Sequence, residues 1–308
     1  MAALRGSTAG SQTRRLAMAL EPVAGQVYFS PECHAAYAEL GFSPSPATTK
    51  AGVELPDGPA YFTSRGSLLG QVPGEVVAAA FGVFNPEAVV PSVEMGWRKV
   101  DAPTICAART RGAVAQLARV LGPEPDGLER AIALLGDAVA PLRPEGKVLF
   151  AGLLALGLPG DEVGPLGDMW RLSDMLREFR GDAHIAAWTS AGLDATEVGL
   201  LTELYWGLPM RTYIRTRAWS DDQLDAAADR LEARGLIARD ALTEDGRTLR
   251  ESIETATDAQ CAVIVDRLGE RTDELIGLLA SWGEAIRTAG GYPAQGPHDL
   301  APLRAASR

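Results

Sequence analysis

The 308-residue sequence has few residues of the kinds that build metal sites, disulfide frameworks or membrane spans. Its three cysteines, Cys33, Cys106 and Cys261, lie far apart and form no CxxC pair, so we expect reduced, buried thiols. With only three histidines as well, we expect no metal and no cofactor. The longest apolar runs, 76–84 and 148–158, are much shorter than the roughly 20 residues of a membrane span.

Common enzyme and targeting signals are also missing. The sequence contains no GxxxxGK[ST] loop, no GxGxxG after a strand and no GxSxG elbow, which excludes the usual nucleotide-binding and serine-hydrolase classes. The first 15 residues lack the apolar middle of a signal peptide, so we expect a cytoplasmic protein without a membrane partner. The net charge of −11 gives the chain as a whole no electrostatic reason to approach DNA.

Apolar residues at helical spacing predict a mainly α fold. Thr104–Leu121 and Glu244–Leu268 are long helices of this kind, and 146–158 reads as a buried helix because it is apolar on nearly all sides. We expect extended structure only near Leu236–Leu242. The pattern changes at Asp194, which predicts a helical domain at 12–192, a second domain at 193–289 and flexible ends at 1–11 and 290–308.

The second domain has the element order of a winged helix. A helix at 195–206 is followed by the basic segment MRTYIRTRAW, a capped helix from Ser220, a short extended piece and a long helix. The segment WSDDQLDAAADRLEARGLI resembles the second and recognition helices of MarR-type regulators, and LTEDGRTLRESIE resembles the end of their wing and the next helix. This resemblance implies a C-terminal winged helix-turn-helix.

The whole chain is similar to a little-characterised actinobacterial helix-turn-helix family. The similarity lies in YFTSRGSLLG at 61–70, in VVAAAFGVFNP at 76–86 and in LREFRGDAH at 176–184. Phe179 and Ala183 depart from that family's pattern in the third motif. The similarity implies a shared fold and a shared pocket, and it implies no activity.

The predicted recognition helix is unusually acidic for a DNA reader. It carries Asp221, Asp222, Asp225 and Asp229, which would repel phosphates. The candidate DNA contacts are Arg211, Arg215, Arg217, Gln223 and Arg239. We favour the alternative in which the arginines before the helix pair with its aspartates, so DNA remains a possible but disfavoured partner.

The densest polar group is Arg177, Glu178, Arg180, Asp182 and His184. We expect Gly181 to break the helix there, which would aim these side chains into one cavity beside the two tryptophans Trp170 and Trp188. Arg180 would then bind an anionic ligand, and Asp182 would orient His184 for acid–base work. The alternative is a structural Arg–Asp pair with a packed histidine.

Arg65 is the second candidate for ligand binding, because it lies among aromatic residues and a buried guanidinium needs a partner. That partner is either a protein carboxylate or an anionic ligand. Five aromatic residues are candidates for lining the same cavity, with ordinary core packing as the alternative: Tyr61, Phe62, Phe81, Phe84 and Trp97.

Two functional interpretations follow. The first is a regulator-like winged-helix protein that binds a small apolar or anionic molecule. It would have weak or lost DNA binding, and it could form a homodimer. The second is an enzyme on a repurposed winged-helix scaffold that uses Arg180, Asp182 and His184 on a small metabolite.

Overall fold

The computed structural model describes the backbone of residues 2–49 and 51–294, and the side chains from residue 12 onward within those ranges. The described part contains thirteen α-helices: α1 Ala2–Gly25, α2 Pro31–Glu39, α3 Gly58–Gly66, α4 Gly74–Phe81, α5 Pro86–Lys99, α6 Ala102–Leu121, α7 Leu128–Val139, α8 Val148–Leu156, α9 Gly164–Ser190, α10 Ala195–Tyr205, α11 Asp221–Ala233, α12 Glu244–Leu268 and α13 Thr272–Thr288. Two short strands, β1 Ile237–Ala238 and β2 Ala241–Leu242, pair as an antiparallel hairpin. The predicted mainly α fold is therefore confirmed.

Several helix boundaries follow from capping residues that are visible in the sequence. Ser30 accepts a hydrogen bond from the Cys33 amide, and Asn85 accepts one from the Glu87 amide. Asp194 and Ser220 each form a capping box, which satisfies amide groups at the starts of α10 and α11. Thr243 caps α12, whose bounds agree with the prediction.

Helix α9 runs without interruption from Gly164 to Ser190, so the predicted break at Gly181 is wrong. A glycine inside a helix costs only about 1 kcal/mol relative to alanine. The helix instead buries Trp170, Met175 and Phe179 along its length, and that burial outweighs the local cost.

Helix α8 is not buried on all sides, which corrects the expectation for 146–158. Leu149, Phe150 and Leu153 face the core, whereas Val148 and Leu156 are 46% and 44% exposed. Its Gly152 lies against the backbone of Leu68, where an added Cβ would be 2.1 Å from the carbonyl oxygen.

The hydrophobic cores divide the chain differently from the predicted domains 12–192 and 193–289. One core includes buried residues of α1, α6, α7, α9, α12 and α13, and we call the helices around it the bundle. Helices α12 and α13 therefore pack in the same core as the N-terminal helices. A second core joins the end of α9 to α10, α11, the hairpin and the start of α12. Residues 193–243 connect α9 to α12 and contribute most of this second core. We call them the helix-turn-helix (HTH) unit.

The predicted loose ends are also partly ordered. The backbone of 2–11 belongs to α1, and Tyr292 is buried against Phe29 after α13. Residues 295–308 lie outside the described part of the chain.

The three cysteines are buried and unpaired, as predicted. No described helix is long and apolar enough to cross a membrane. No group of three or more potential metal ligands occurs among the described residues.

Candidate ligand-binding cavity

A cavity of about 700 Å³ lies between the helical bundle and the HTH unit. The bundle contributes side chains of α1, α3, α4, α9 and α12 to its wall, and the HTH unit contributes Thr202, Trp206, Tyr213, Thr216 and Arg217. The volume is in the range of small-molecule sites.

One wall of the cavity is aromatic. Tyr61 and Phe62 come from α3, Phe81 ends α4, and Phe84 follows it. The ring centroids of Phe62 and Phe84 are 5.1 Å apart in an edge-to-face arrangement, and those of Tyr61 and Phe84 are 5.4 Å apart. Four of the five predicted aromatic residues therefore line one cavity. Trp97 does not, and its indole donates to the Val72 carbonyl at 2.7 Å.

Arg65, the predicted anion binder on α3, lines the same cavity but is neutralised by a protein carboxylate. Its Nε and Nη2 donate to the two carboxylate oxygens of Glu178 at 2.9 and 2.7 Å. Arg177 also donates to Glu178, at 3.1 Å, and Tyr28 donates at 3.3 Å. Burial opposes ionisation of Glu178, but the charges of Arg65 and Arg177 outweigh it and lower its pKa to about 2.

Arg180 and His184 line the cavity one helical turn apart on α9. Arg180 donates to Asp258 at 2.8 Å and to Glu254 at 3.2 Å, so α12 supplies its partners. The Nδ1 of His184 lies 3.1 Å from the Thr257 hydroxyl. Burial, together with the nearby Arg250 and Arg180, lowers the pKa of His184 to about 4, so the ring is neutral at neutral pH.

Asp182 does not join this group, because residues two apart on a helix point to opposite sides. Its Oδ2 accepts the backbone amides of Leu149 at 3.0 Å and Phe150 at 3.1 Å, which caps the start of α8. The predicted pairing of Asp182 with His184 is therefore not formed. Burial raises the pKa of Asp182 to about 6.

The predicted tryptophans Trp170 and Trp188 also lie outside the cavity lining. Trp170 is fully buried and donates to the Ala24 carbonyl at 3.2 Å. Trp188 packs in the core of the HTH unit.

A short 3-10 helix, Ile214–Arg217, precedes α11 in the HTH unit and is joined to it by the three residues 218–220. The segment 219–237, which resembles two MarR-type helices, forms α11 and the first residue of the hairpin. The hairpin turn consists of Arg239 and Asp240, both with positive φ.

A family model described as a helix-turn-helix family matches residues 13–293. The chain belongs to this helix-turn-helix family. No match was found among curated proteins or among solved structures.

In this member of the helix-turn-helix family, the predicted DNA contacts of the HTH unit are largely engaged within the protein. Arg215 forms a 2.7 Å ion pair with Asp221, and Arg211 pairs with Asp225. The Gln223 side chain accepts the Ser220 amide and also a hydrogen bond from Asn85. The favoured pairing of arginines with aspartates thus occurs for two of the three arginines.

Arg217 behaves differently from the other two. Its guanidinium lies 4.7 Å from the centre of the Phe84 ring and 4.4 Å from that of Tyr213, and it lines the cavity. Among the described residues it makes no ion pair with a carboxylate. Arg239 is exposed at the hairpin turn.

The α12 side of the cavity was not among the residues predicted from the sequence. Arg250, Glu254 and Asp258 recur at four-residue spacing on one face of that helix, and all three are buried. This spacing was the available signal, because charges at i and i+4 on a buried helix face must pair with each other or with a neighbouring element.

Asp182 and His184 predict opposite pH effects on stability. The pKa of Asp182 is raised in the folded protein from its ordinary 3.8 to about 6, so acidification through this range favours folding. The pKa of His184 is lowered from its ordinary 6.5 to about 4, so acidification through the same range disfavours folding. Between pH 7 and 4.5 the two effects should largely cancel.

Single substitutions should separate the two effects. His184→Gln should make the free energy of unfolding rise on acidification from pH 7 to 4.5, by on the order of 1–2 kcal/mol relative to the unmodified protein. Asp182→Asn should make it fall by a similar amount. Urea unfolding at the two pH values measures both. Parallel pH dependences in all three proteins would show that neither group is perturbed by folding.

Proposed function

We propose that this helix-turn-helix protein is a regulator-like protein that binds a small molecule in the cavity between its bundle and a MarR-like, winged HTH unit. The observation that carries the proposal is the composition of the wall. Arg217 and Tyr213 belong to the HTH unit, whereas Phe62, Phe81 and Glu178 belong to the bundle. A ligand in this cavity contacts both parts at once.

Such a position gives a ligand a way to act on the HTH unit. A ligand shifts a conformational equilibrium only by its differential affinity for the two states. Here the 3-10 helix that precedes α11 forms part of the wall, so a displacement of α11 changes the ligand contacts directly. An actinobacterial source and a homodimer remain predictions. The exposed apolar side chains of α8 are a candidate dimer surface, and light scattering can measure whether the protein is a dimer.

The second interpretation, an enzyme that uses Asp182 and His184 as a pair, is not favoured by this geometry. Asp182 caps α8 and His184 contacts Thr257. A histidine with a pKa near 4 is also a weak general base at neutral pH.

Filling the cavity tests ligand binding. Gly181 lines the cavity, and a Cβ there would meet only the Glu178 carboxylate at 3.7 Å. Gly181→Leu should therefore fold and project its side chain into the cavity. The neutral fluorescent dye N-phenylnaphthylamine is a suitable probe, and its dissociation constant should rise by about tenfold or more in this variant.

Gly181→Ala is the matched control for this experiment. It should bind the dye like the unmodified protein and gain about 0.5–1 kcal/mol of stability from the removal of a helical glycine. If the unmodified protein binds neither this dye nor its sulfonated relative anilinonaphthalene sulfonate, or if Gly181→Leu binds the neutral dye equally well, the cavity is not a ligand site and the proposal fails.

We expect no nanomolar sequence-specific DNA binding at physiological salt. The exposed face of α11 carries Asp221, Asp222, Asp225 and Asp229, and the wing presents one cation, Arg239, on a two-residue turn. Fluorescence anisotropy with a duplex from the protein's own promoter measures this. A nanomolar complex that is lost in Gln223→Ala or Arg215→Ala would contradict the expectation.

Removing the negative charges of α11 tests whether they weaken DNA binding. Changing the four aspartates of α11 to asparagine should raise non-specific DNA affinity about tenfold or more, because it removes repulsion and releases Arg211 and Arg215 from their ion pairs. The control carries the same charge change at four exposed acids elsewhere: Glu94, Asp161, Glu162 and Glu284. An equal gain in both variants would show that only net charge matters.

A further inference from the structure

We infer that the ligand of this cavity is an amphipathic acid, with one carboxylate- or sulfonate-like group held by Arg217 and an apolar body against Phe62 and Phe84. This inference rests on the proposed function and adds the chemical class of the ligand. It also assigns Arg217 as the residue that selects for the acidic group.

The charges around the cavity favour an anion although the whole chain is acidic. Apart from Arg287, six arginines line the cavity: Arg14, Arg65, Arg177, Arg180, Arg217 and Arg250. Five carboxylates among the described residues line it or pair with these arginines: Glu21, Glu178, Glu254, Glu251 and Asp258. Arg217 is the member of this set that is left without a carboxylate, and a cleft with low-dielectric walls focuses its charge on the interior.

Most of these arginines already have carboxylate partners. Arg14, Arg65, Arg177, Arg180 and Arg250 all form ion pairs within the protein. A bound anion would have to compete with those carboxylates for the same donors. These five residues are therefore poor candidates for the anion anchor.

Arg217 lacks such competition. Its Nη2 donates to the Tyr213 hydroxyl, and its buried Nε has no acceptor among the described residues. A partly buried guanidinium without a carboxylate is costly, and an anionic ligand removes that cost. The Phe84 and Tyr213 rings hold the guanidinium in place by cation–π contact, so the anchor is preorganised.

The surroundings of Arg217 exclude a small, fully hydrated anion as the best ligand. Phe84 lies beside it, and Phe62 and Phe81 continue the apolar surface, with ring centroids 5.1 and 6.1 Å from that of Phe84. A hydrated ion leaves these rings in contact with water, so they contribute no binding free energy. A flat or aliphatic body removes them from water and contributes about 25 cal/mol of binding free energy per Å² of apolar area. The acid must therefore carry an apolar body.

Arg217 is also placed where binding would reach α11. It is the last residue of the 3-10 helix, and its carbonyl accepts the Asn85 amide at 2.9 Å. Asn85 in turn donates to Ala218 at 3.0 Å and to Gln223 at 3.2 Å. An anion held by Arg217 thus contacts the segment that fixes the start of α11.

Two fluorescent dyes with related ring systems separate charge from apolar contact. Anilinonaphthalene sulfonate carries one sulfonate, and N-phenylnaphthylamine lacks it. In Arg217→Met the dissociation constant of the sulfonate should rise about tenfold or more, and that of the neutral dye should change less than about threefold. Arg215→Met, on the same 3-10 helix but exposed, should change neither constant by more than about threefold.

The outcomes distinguish this inference from the proposed function. If the neutral dye binds in the cavity and Arg217→Met leaves sulfonate binding within about threefold, the ligand class is wrong and the ligand site stands. If neither dye binds the unmodified protein, the site itself fails. Arg217→Gln keeps a polar side chain and repeats the test in case Arg217→Met does not fold, which circular dichroism will show.

Discussion

Replacing Glu178 with glutamine is expected to lower the free energy of unfolding by about 3–5 kcal/mol at neutral pH. The carboxylate is fully buried and is the shared partner of Arg65 and Arg177. Glutamine keeps the shape of the side chain but leaves both guanidinium groups without this counter-charge. Urea unfolding followed by circular dichroism measures the loss.

The pH dependence gives this prediction a second test. Because the pKa of Glu178 is lowered to about 2 in the folded protein, its ionised form contributes stability that is present above pH 4.5 and is lost as the pH falls toward 2. The difference between Glu178→Gln and the unmodified protein should shrink over that range. A difference that stays constant would mean that the charge is not the cause.

An exposed ion pair supplies the control. Glu145 pairs with Arg143 at 2.8 Å, but both side chains are mostly exposed. Glu145→Gln should leave the free energy of unfolding nearly unchanged, because solvent screens an exposed ion pair. A similar loss in the Glu145 and Glu178 variants would refute the role assigned to burial.

Gly246→Ala is expected to destabilise the start of α12 and the adjoining hairpin by about 2–4 kcal/mol. A Cβ at this position would lie 1.9 Å from the backbone oxygen of Leu236. The obstacle is backbone that also accepts a hydrogen bond from Thr243, so it cannot yield as a flexible side chain would. Thermal unfolding measures the loss, and faster tryptic cleavage at Arg239 reports the hairpin.

Gly277→Ala is the matched substitution on α13, where nothing lies within 4 Å of the added methyl group. It should stabilise the protein by about 0.5–1 kcal/mol, because alanine is the better helix former. If both alanine variants are stabilised, the close approach of α12 to Leu236 does not exist in solution.

Local signals made much of the fold predictable. Caps such as Ser30, Asn85 and Thr243 act within one turn, so the sequence nearby determines where their helices begin. The predicted helix break at Gly181 was wrong because the effect of this glycine depends on the residues that the rest of α9 buries. No local sequence pattern contains that information. The return of α12 and α13 to the bundle depends on long-range packing for the same reason.

The sequence predicted which residues line the site better than it predicted which residues they pair with. The aromatic residues Tyr61, Phe62, Phe81 and Phe84 do share one wall with Arg65. That Arg65 pairs with Glu178, 113 residues further along the chain, required the tertiary structure. The predicted Asp182–His184 pairing failed on helix geometry once α9 proved continuous.

The packing of the first helix against the last has a consequence for protein synthesis. α1 and α13 lie against each other, and the cavity wall extends from Thr13 to Tyr292. A ribosome therefore has to release the chain beyond Tyr292 before the bundle can close, whereas the contacts within residues 193–243 are local and can form earlier. We expect the cavity to form only after Tyr292 has left the ribosome, so a shorter nascent chain should not bind the ligand.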